Sequence, residues 1–222
     1  LKQMYSLKDI DNLSINQIWE LYRKYINNSQ VDLISSFGFG NDKVEYAEGV
    51  YIYTHDKKIL DFTGGIGVLN IGHNHKRIIK ARKEFAEKKK MEVHKNYFSP
   101  YVAALSANIA ELLPDDLNIS FFPNSGAEAV EGAIKLAHKY HMGERNIILH
   151  SNISFHGKTL GAGNLTGSIE TSYYKFPGFL KTDKFIFNDI ESIKEKINLH
   201  KKNNKTDIYA IIVETFSASS LL

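Results

Sequence analysis

The stretch FFPNSGAEAVEGAIKLAHKYHMG, Phe121 to Gly143, decides how the rest of the chain is read. It runs strand, tight turn, helix. Ile119 to Phe122 is a short apolar run of strand-favouring residues. Pro123 and Asn124 break it. Ser125 and Glu128 form an S-x-x-E capping box. Ala127, Val130, Ile134 and Ala137 follow at helical spacing, and Gly143 marks a stop. Such a turn aims backbone N–H groups and the positive end of a helix at one point, which suits a phosphate. A capped helix that binds nothing fits the same letters, so the neighbours of the stretch must decide.

Downstream, Asn146 to His150 reads as a strand and 151–168 as a loop, SNISFHGKTLGAGNLTGS. Residues 169–184 are aromatic and irregular. Lys184 to Asn188 reads as a short strand, Asp189 to Leu199 as a helix, and Asp207 to Glu214 (DIYAIIVE) as a buried strand ending on a carboxylate. The order strand, helix, strand, loop, strand, helix, strand predicts a largely parallel sheet covered by helices, an α/β fold. Ligands of such sheets sit at the carboxyl ends of the strands. The turn at 123–126, the loop at 151–158 and Glu214 all lie there, which favours a ligand over a plain cap.

Upstream, Ser14 caps an amphipathic helix to Tyr25, with Ile15, Ile18, Trp19 and Tyr22 on one face. Val44–Tyr46, Val50–Thr54 and Ile59–Phe62 read as a β-meander. DFTGGIGVLNIGHNH, Asp61 to His75, carries glycines at 64, 65, 67 and 72, either a structural turn or a substrate-facing loop. Lys76 to Met91 reads as a charged helix, and Pro100 opens another that ends before Pro114.

Composition narrows the class of protein. The 222 residues are 43% hydrophobic and 24% charged, ordinary for a globular protein. A net charge of +3, from 28 basic and 25 acidic residues, is too small to argue for nucleic acid. The cluster Lys88, Lys89, Lys90 sits beside Glu84 and Glu87 as a solvated face. With no cysteine there is no disulfide and no Cys-ligated metal. No apolar run reaches membrane-spanning length, and LKQMYSLKDIDN lacks the apolar core of a secretory signal, so the expectation is cytoplasmic with no membrane. His73-x-His75 and His138-x-x-His141 have metal-like spacing without a third ligand nearby, and no metal is expected.

The motifs DFTGGIGVLNIGHNH, FFPNSGAEAVEGAIKLAHKYH, SFHGKTLGA and AIIVE occur in this order. Together they resemble the class III, or ω-, aminotransferases, pyridoxal phosphate enzymes of fold type I, from about residue 30 to 214. Within that family the wording is most similar to the putrescine and other diamine aminotransferases. The resemblance implies an N-terminal arm and small-domain segment at 1–95, then the first part of a mostly parallel, three-layer α/β/α large domain at 96–222. It also implies the cofactor, pyridoxal 5'-phosphate. Ser125, Gly126 and Ala127 match the phosphate turn, and Phe155 matches the residue that stacks on the pyridine ring. His156 follows it, as a ring contact or as a loop-ordering residue. Glu214 matches a strand-end glutamate near the substrate that pairs with a later arginine, with a plain structural ion pair as the other reading. Lys158 stands where relatives binding α-carboxylates have Arg. Lys cannot hold a carboxylate bidentately, which favours a diamine or ω-amino acid. Ile66, Val68 and Tyr97 match positions that line the substrate pocket, though core packing also explains them.

Relatives carry a Schiff-base lysine and a pyridine-nitrogen aspartate after the VE strand. Here the sequence reads VETFSASSLL instead of continuing P-x-Q-G, and no lysine present matches. The expectation is therefore the N-terminal portion of an aminotransferase moving an amino group from a primary amine to a 2-oxo acid, a homodimer when full length and inactive as residues 1–222. Half of a split enzyme, a degenerate non-catalytic binding module and an aminomutase-type enzyme remain open alternatives.

Overall fold

A computed structural model describes residues 4–94, 96–167, 178–203 and 205–216. The chain divides into two compact units, Leu1–Tyr97 and Phe98–Leu222.

The first unit begins with three short helices, α1 (Leu7–Asp11), α2 (Ile15–Tyr25) and α3 (Gln30–Ser36). Ser14 caps α2 in a full capping box with Gln17, and Ser6 caps α1 likewise with Asp9. Trp19 donates its indole N–H to the Gly40 carbonyl at 3.0 Å. The meander is β1 (Tyr46–Glu48), β2 (Tyr51–Tyr53) and β3 (Lys58–Leu60), antiparallel throughout. Its first strand lies two residues later than the pattern predicts. The cross-strand pair Tyr46 and Tyr53 stacks at 4.3 Å between ring centres.

After the meander comes α4 (Gly64–Gly67), helical in its hydrogen bonding but left-handed in its backbone. Gly64, Gly65, Ile66 and Gly67 have φ of 56, 61, 63 and 72°. Asp61 holds this turn: its carboxylate accepts from Thr63 N–H at 2.9 Å, Thr63 Oγ1 at 2.6 Å, Gly64 N–H at 3.1 Å and Gly65 N–H at 3.2 Å. His73 Nε2 donates to it at 2.8 Å. The charged helix α5 (Lys76–Glu87) follows and stops four residues short of the predicted Met91.

The second unit opens with α6 (Pro100–Ala110), started by Ser99 as cap and Pro100 at its first position. It ends three residues before the predicted Leu113. Residues 119–122, predicted as a strand, join no ladder among the described residues, and Ile119 is 94% exposed. An apolar run becomes a strand only when a neighbour pairs with it. Then come α7 (Gly126–Tyr140), β4 (Ile147–Ser151), α8 (Leu160–Leu165), β5 (Lys181–Phe185), α9 (Ile190–Leu199), the short hairpin β6 (Lys201–Lys202) and β7 (Lys205–Thr206), and β8 (Ile208–Ile212). The strand predicted at 184–188 lies at 181–185, and α8 replaces part of the predicted loop. The aromatic stretch predicted as irregular at 169–184 falls outside the described residues up to Pro177, as does the tail from Ser217.

The sheet is parallel with strand order β5-β4-β8. Side chains alternate across it, so β4 sends Ile148 to one face and Leu149 to the other. Ile148 packs with Ile134 and Val130 of α7, Leu165 of α8 and Tyr209 of β8. Leu149 packs with Phe185, Ile208 and the α9 residues Ile193 and Ile197. This is a three-layer α/β/α arrangement with β4 buried at its centre. No helix among the described residues is long and apolar enough to cross a membrane.

Candidate active site

The chain leaves β4 towards β5 on one side and reaches β8 on the other, so the carboxyl end of β4 is the switch point of the sheet. The loop 152–159 emerges there, and residues 213–214 emerge beside it from β8. Parallel pairing puts the ends of both strands on the same edge.

The turn before α7 is the first component. Ser125 is extended and its Oγ accepts from Glu128 N–H at 3.2 Å. The Glu128 carboxylate reaches back to Asn124 N–H at 2.7 Å, one residue earlier than a capping box places it. Ala129 N–H bonds to the Ser125 carbonyl. Glu128 and Ala129 thus have partners for their N–H groups. Those of Gly126 and Ala127 find no acceptor among the described residues, as expected of a helix start that faces outward. A Cβ on Gly126 would meet nothing within 4 Å.

The second component, the loop, is bound tightly to the first. Gly157 has φ of 129°, and a Cβ there would lie 2.6 Å from Ala127 Cβ. Only glycine lets the loop come this close to the turn. Phe155 N–H donates to Glu214 Oε2 at 3.1 Å. His156 N–H donates to Thr166 Oγ1 at 3.0 Å, and that hydroxyl donates to the Gly157 carbonyl at 3.0 Å. Ser154 Oγ is buried and bridges the Ser151 and Leu165 carbonyls. The Phe155 ring itself remains half exposed, with Lys158 Nζ 6.0 Å from its centre.

Two buried histidines underlie this edge. His150, at the end of β4, has its Nδ1 3.1 Å from the Ser151 carbonyl. Burial, reinforced by the Lys184 charge, pushes its pKa down to about 4. Burial also lowers His156, partly opposed by the Glu214 carboxylate. Both imidazoles are neutral near pH 7, and each has an enclosed Nε2 with no hydrogen-bond partner among the described residues.

Seven of the ten residues singled out in the sequence for cofactor or substrate, Ser125, Gly126, Ala127, Phe155, His156, Lys158 and Glu214, therefore share one edge. Ile66, Val68 and Tyr97 belong to the first unit, where all three are exposed. Sequence reasoning missed Glu131, which binds Thr159 Oγ1 at 2.6 Å, Gly161 N–H at 2.9 Å and Ala162 N–H at 3.1 Å. The available signal was its position one helical turn after Ala127. Among the described residues no group of His, Cys, Asp or Glu is arranged to hold a metal ion.

Comparisons with known proteins bear on the family and the fold. The family model for aminotransferase class III matches residues 40–220. The acetylornithine aminotransferase of Bacillus anthracis is 34% identical over 184 residues, 79% of this chain and 43% of that protein. Adenosylmethionine-8-amino-7-oxononanoate aminotransferase from Methanocaldococcus jannaschii superposes with a TM-score of 0.74 at 26% identity, over 89% of this chain and 46% of that one. Taurine:2-oxoglutarate aminotransferase from Bifidobacterium kashiwanohense, solved with PLP and glutamate, shares the fold with a TM-score of 0.69 at 22% identity, over 90% of this chain and 48% of that one. This chain spans less than half the length of each of these relatives. Their fold is that of the fold type I pyridoxal phosphate enzymes, and class III aminotransferases depend on that cofactor. By sequence and by fold, the chain belongs to the class III aminotransferase family.

Proposed function

We propose that residues 1–222 supply the phosphate-turn portion of an aminotransferase that moves an amino group from a primary amine, a diamine or an ω-amino acid, to a 2-oxo acid. The observation that carries this reading is the seating of Gly157 on Ala127, which fixes the Phe155 loop beside the turn at 125–127.

The residues present fit pyridoxal 5'-phosphate. A phosphate ester needs donors, and the N–H groups of Gly126 and Ala127 have no other acceptor among the described residues. Ser125 Oγ accepts from Glu128, which leaves its own O–H to donate outward. The positive end of α7 adds its field. A flat ring needs an apolar face, which the half-exposed Phe155 offers. The bound cofactor supplies the electron sink through which an amino group can leave one carbon and join another.

The protein side of the chemistry is orientation. Phe155 would offer its face to the ring, and Glu214 holds Phe155 while keeping a second carboxylate oxygen for a cationic group. His156, neutral, presents no charge to the ring. Lys158 offers a point charge rather than a bidentate fork, which favours an amine without an α-carboxylate. Ile66, Val68 and Tyr97, exposed in the first unit, are assigned to the amine by resemblance. The whole protein is proposed to act as a cytoplasmic homodimer.

Residues 1–222 alone are proposed to be inactive, since the resemblance puts the cofactor-holding lysine and the pyridine-nitrogen aspartate after Glu214. Much apolar surface is also uncovered in the second unit. Helix α6 buries no residue, and Phe98 and Ile119 are almost wholly exposed. The test compares the whole protein with residues 1–222 in cofactor titrations and in turnover with a panel of diamines, ω-amino acids and α-amino acids. The expected result is turnover by the whole protein with the first two classes. Failure of the whole protein to take up pyridoxal phosphate, or turnover by residues 1–222 alone, would overturn the reading.

A further inference from the structure

Helix α8 begins without a cap of its own. Thr159 occupies the N-cap position, yet its hydroxyl accepts from no N–H of the helix. It donates instead to Glu131 Oε1 at 2.6 Å. The same oxygen accepts from Gly161 N–H at 2.9 Å and Ala162 N–H at 3.1 Å. A carboxylate on α7 therefore caps α8 from outside, where the first-turn N–H groups favour a negative charge. The approach is close: a Cβ on Gly161 would lie 2.9 Å from the Glu131 carboxyl carbon. Partial burial works to raise the Glu131 pKa, and the three donors outweigh it and hold the group ionised.

The placement of this contact gives it a consequence for the site. Glu131 lies four residues after Ala127 on the same face of α7. Thr159 lies four residues after Phe155, at the far end of the loop. The loop is thus fastened at Phe155 by Glu214, at His156 and Gly157 by Thr166, and at Thr159 by Glu131. Of these partners only Glu131 stands on the helix that carries the phosphate turn.

We propose that Glu131 is a positioning residue that, together with the seating of Gly157 on Ala127, sets the spacing between the phosphate turn at 125–127 and the ring face of Phe155. It thereby selects a ligand with a phosphate at one end and a flat ring at the other. This rests on the pyridoxal phosphate reading above. Glu131 touches no reacting atom. Its carboxylate acts through α8 and the loop, and the needed property is an acceptor at the reach of Oε1. Gln keeps that acceptor; Asp is one carbon too short, and Ala has none.

The experiment uses the whole protein and the variants Glu131→Ala, Glu131→Gln, Glu131→Asp and Thr159→Val. Three quantities are read: affinity for pyridoxal 5'-phosphate, the induced circular dichroism of the cofactor at saturation, and amide hydrogen exchange at Gly161 and Ala162. Loss of a charged acceptor serving three donors predicts about ten-fold weaker cofactor binding in Glu131→Ala, and a similar loss in Glu131→Asp. The induced signal per bound cofactor falls in both, because the ring is no longer held in one orientation. Glu131→Gln restores the signal and most of the affinity. Thr159→Val removes one donor and shows a smaller loss in the same direction, which keeps the test open if Glu131→Ala does not fold. Faster exchange at Gly161 and Ala162 with wild-type affinity and an unchanged signal would assign Glu131 to the fold alone and overturn the proposal. A wild-type protein that binds no pyridoxal phosphate overturns the underlying reading instead, a result told apart by the unmodified protein.

Discussion

The backbone N–H of Phe155 donates to the side chain of Glu214, 59 residues later in the chain. One carboxylate oxygen therefore holds the ring face while the other stays available. The variants Glu214→Ala and Glu214→Gln separate the two uses. Glu214→Ala removes the acceptor, and amide exchange at Phe155 should quicken by about ten-fold or more. Glu214→Gln keeps an acceptor oxygen and should leave that exchange slow while removing the negative charge. Hydrogen exchange of both variants checks this, and fast exchange in Glu214→Gln would show that the amide cannot replace the carboxylate.

Gly157→Ala should be among the most damaging small substitutions in the second unit. The new Cβ would meet Ala127 at 2.6 Å, and φ of 129° disfavours any side chain. Overpacking and backbone strain together predict a loss of about 2–4 kcal/mol. Cofactor affinity should fall with it, because the loop can relieve the clash only by moving off the turn. Urea unfolding and cofactor titration on one preparation test both statements. Gly126→Ala is the contrast, since its Cβ meets nothing within 4 Å. Its fold should survive, and any loss should appear in phosphate binding.

His150 should make the second unit sensitive to mild acid. Its pKa is lowered from 6.5 to about 4 in the folded protein. As pH falls below 6.5 the unfolded chain takes up a proton that the folded chain refuses, so stability drops until about pH 4 and then levels off. The full effect is about 3 kcal/mol, with about 2 kcal/mol of it lost between pH 7 and pH 5. His150→Leu should flatten this part of the profile. Denaturant unfolding across the pH range measures it, and an equal acid loss in the variant would assign the sensitivity to other groups.

The left-handed turn offers a test in the first unit. Ile66 has φ of 63°, and a left-handed conformation costs an L-residue about 1–2 kcal/mol. Ile66→Gly removes that strain but adds about 0.5–1 kcal/mol of chain entropy in the unfolded state. The strain is the larger on average, so the variant should gain up to about 1.5 kcal/mol. Ile66 is 92% exposed, so little packing is lost in exchange. If Ile66 meets the amine, KM should rise in the whole protein while stability improves. Destabilisation of Ile66→Gly would mean that the side chain is anchored by something stronger than the turn.

The letters carried unequal amounts of this structure. The caps at Ser14 and Ser125 were legible because they are local, and each makes its expected side-chain bond. The parallel sheet was legible from the alternation of elements. Helix α8 was not: Gly161 and Gly163 read as loop, and the helix forms beside a carboxylate from α7. The edge strand β5 was misplaced because KTDKF is polar; its Asp183 pairs with Lys196 and His200 instead of showing an apolar pattern. Residues 119–122 failed in the opposite way, with the right letters and no pairing strand among the described residues. The site residues were legible as motifs, but their mutual distances were not, because Glu214 and Phe155 meet only through the pairing of β4 with β8.

The burial of β4 on both faces has one more consequence. Ile148 and Leu149 are each at most 1% exposed, and they join the layer of α7 and α8 to the layer of α9 through a single strand. The loop bearing Phe155 is the direct continuation of that strand. Its anchor point therefore has no independent melting: whatever loosens it must open both cores together, so release of the ring face and collapse of the sheet should occur as one cooperative event.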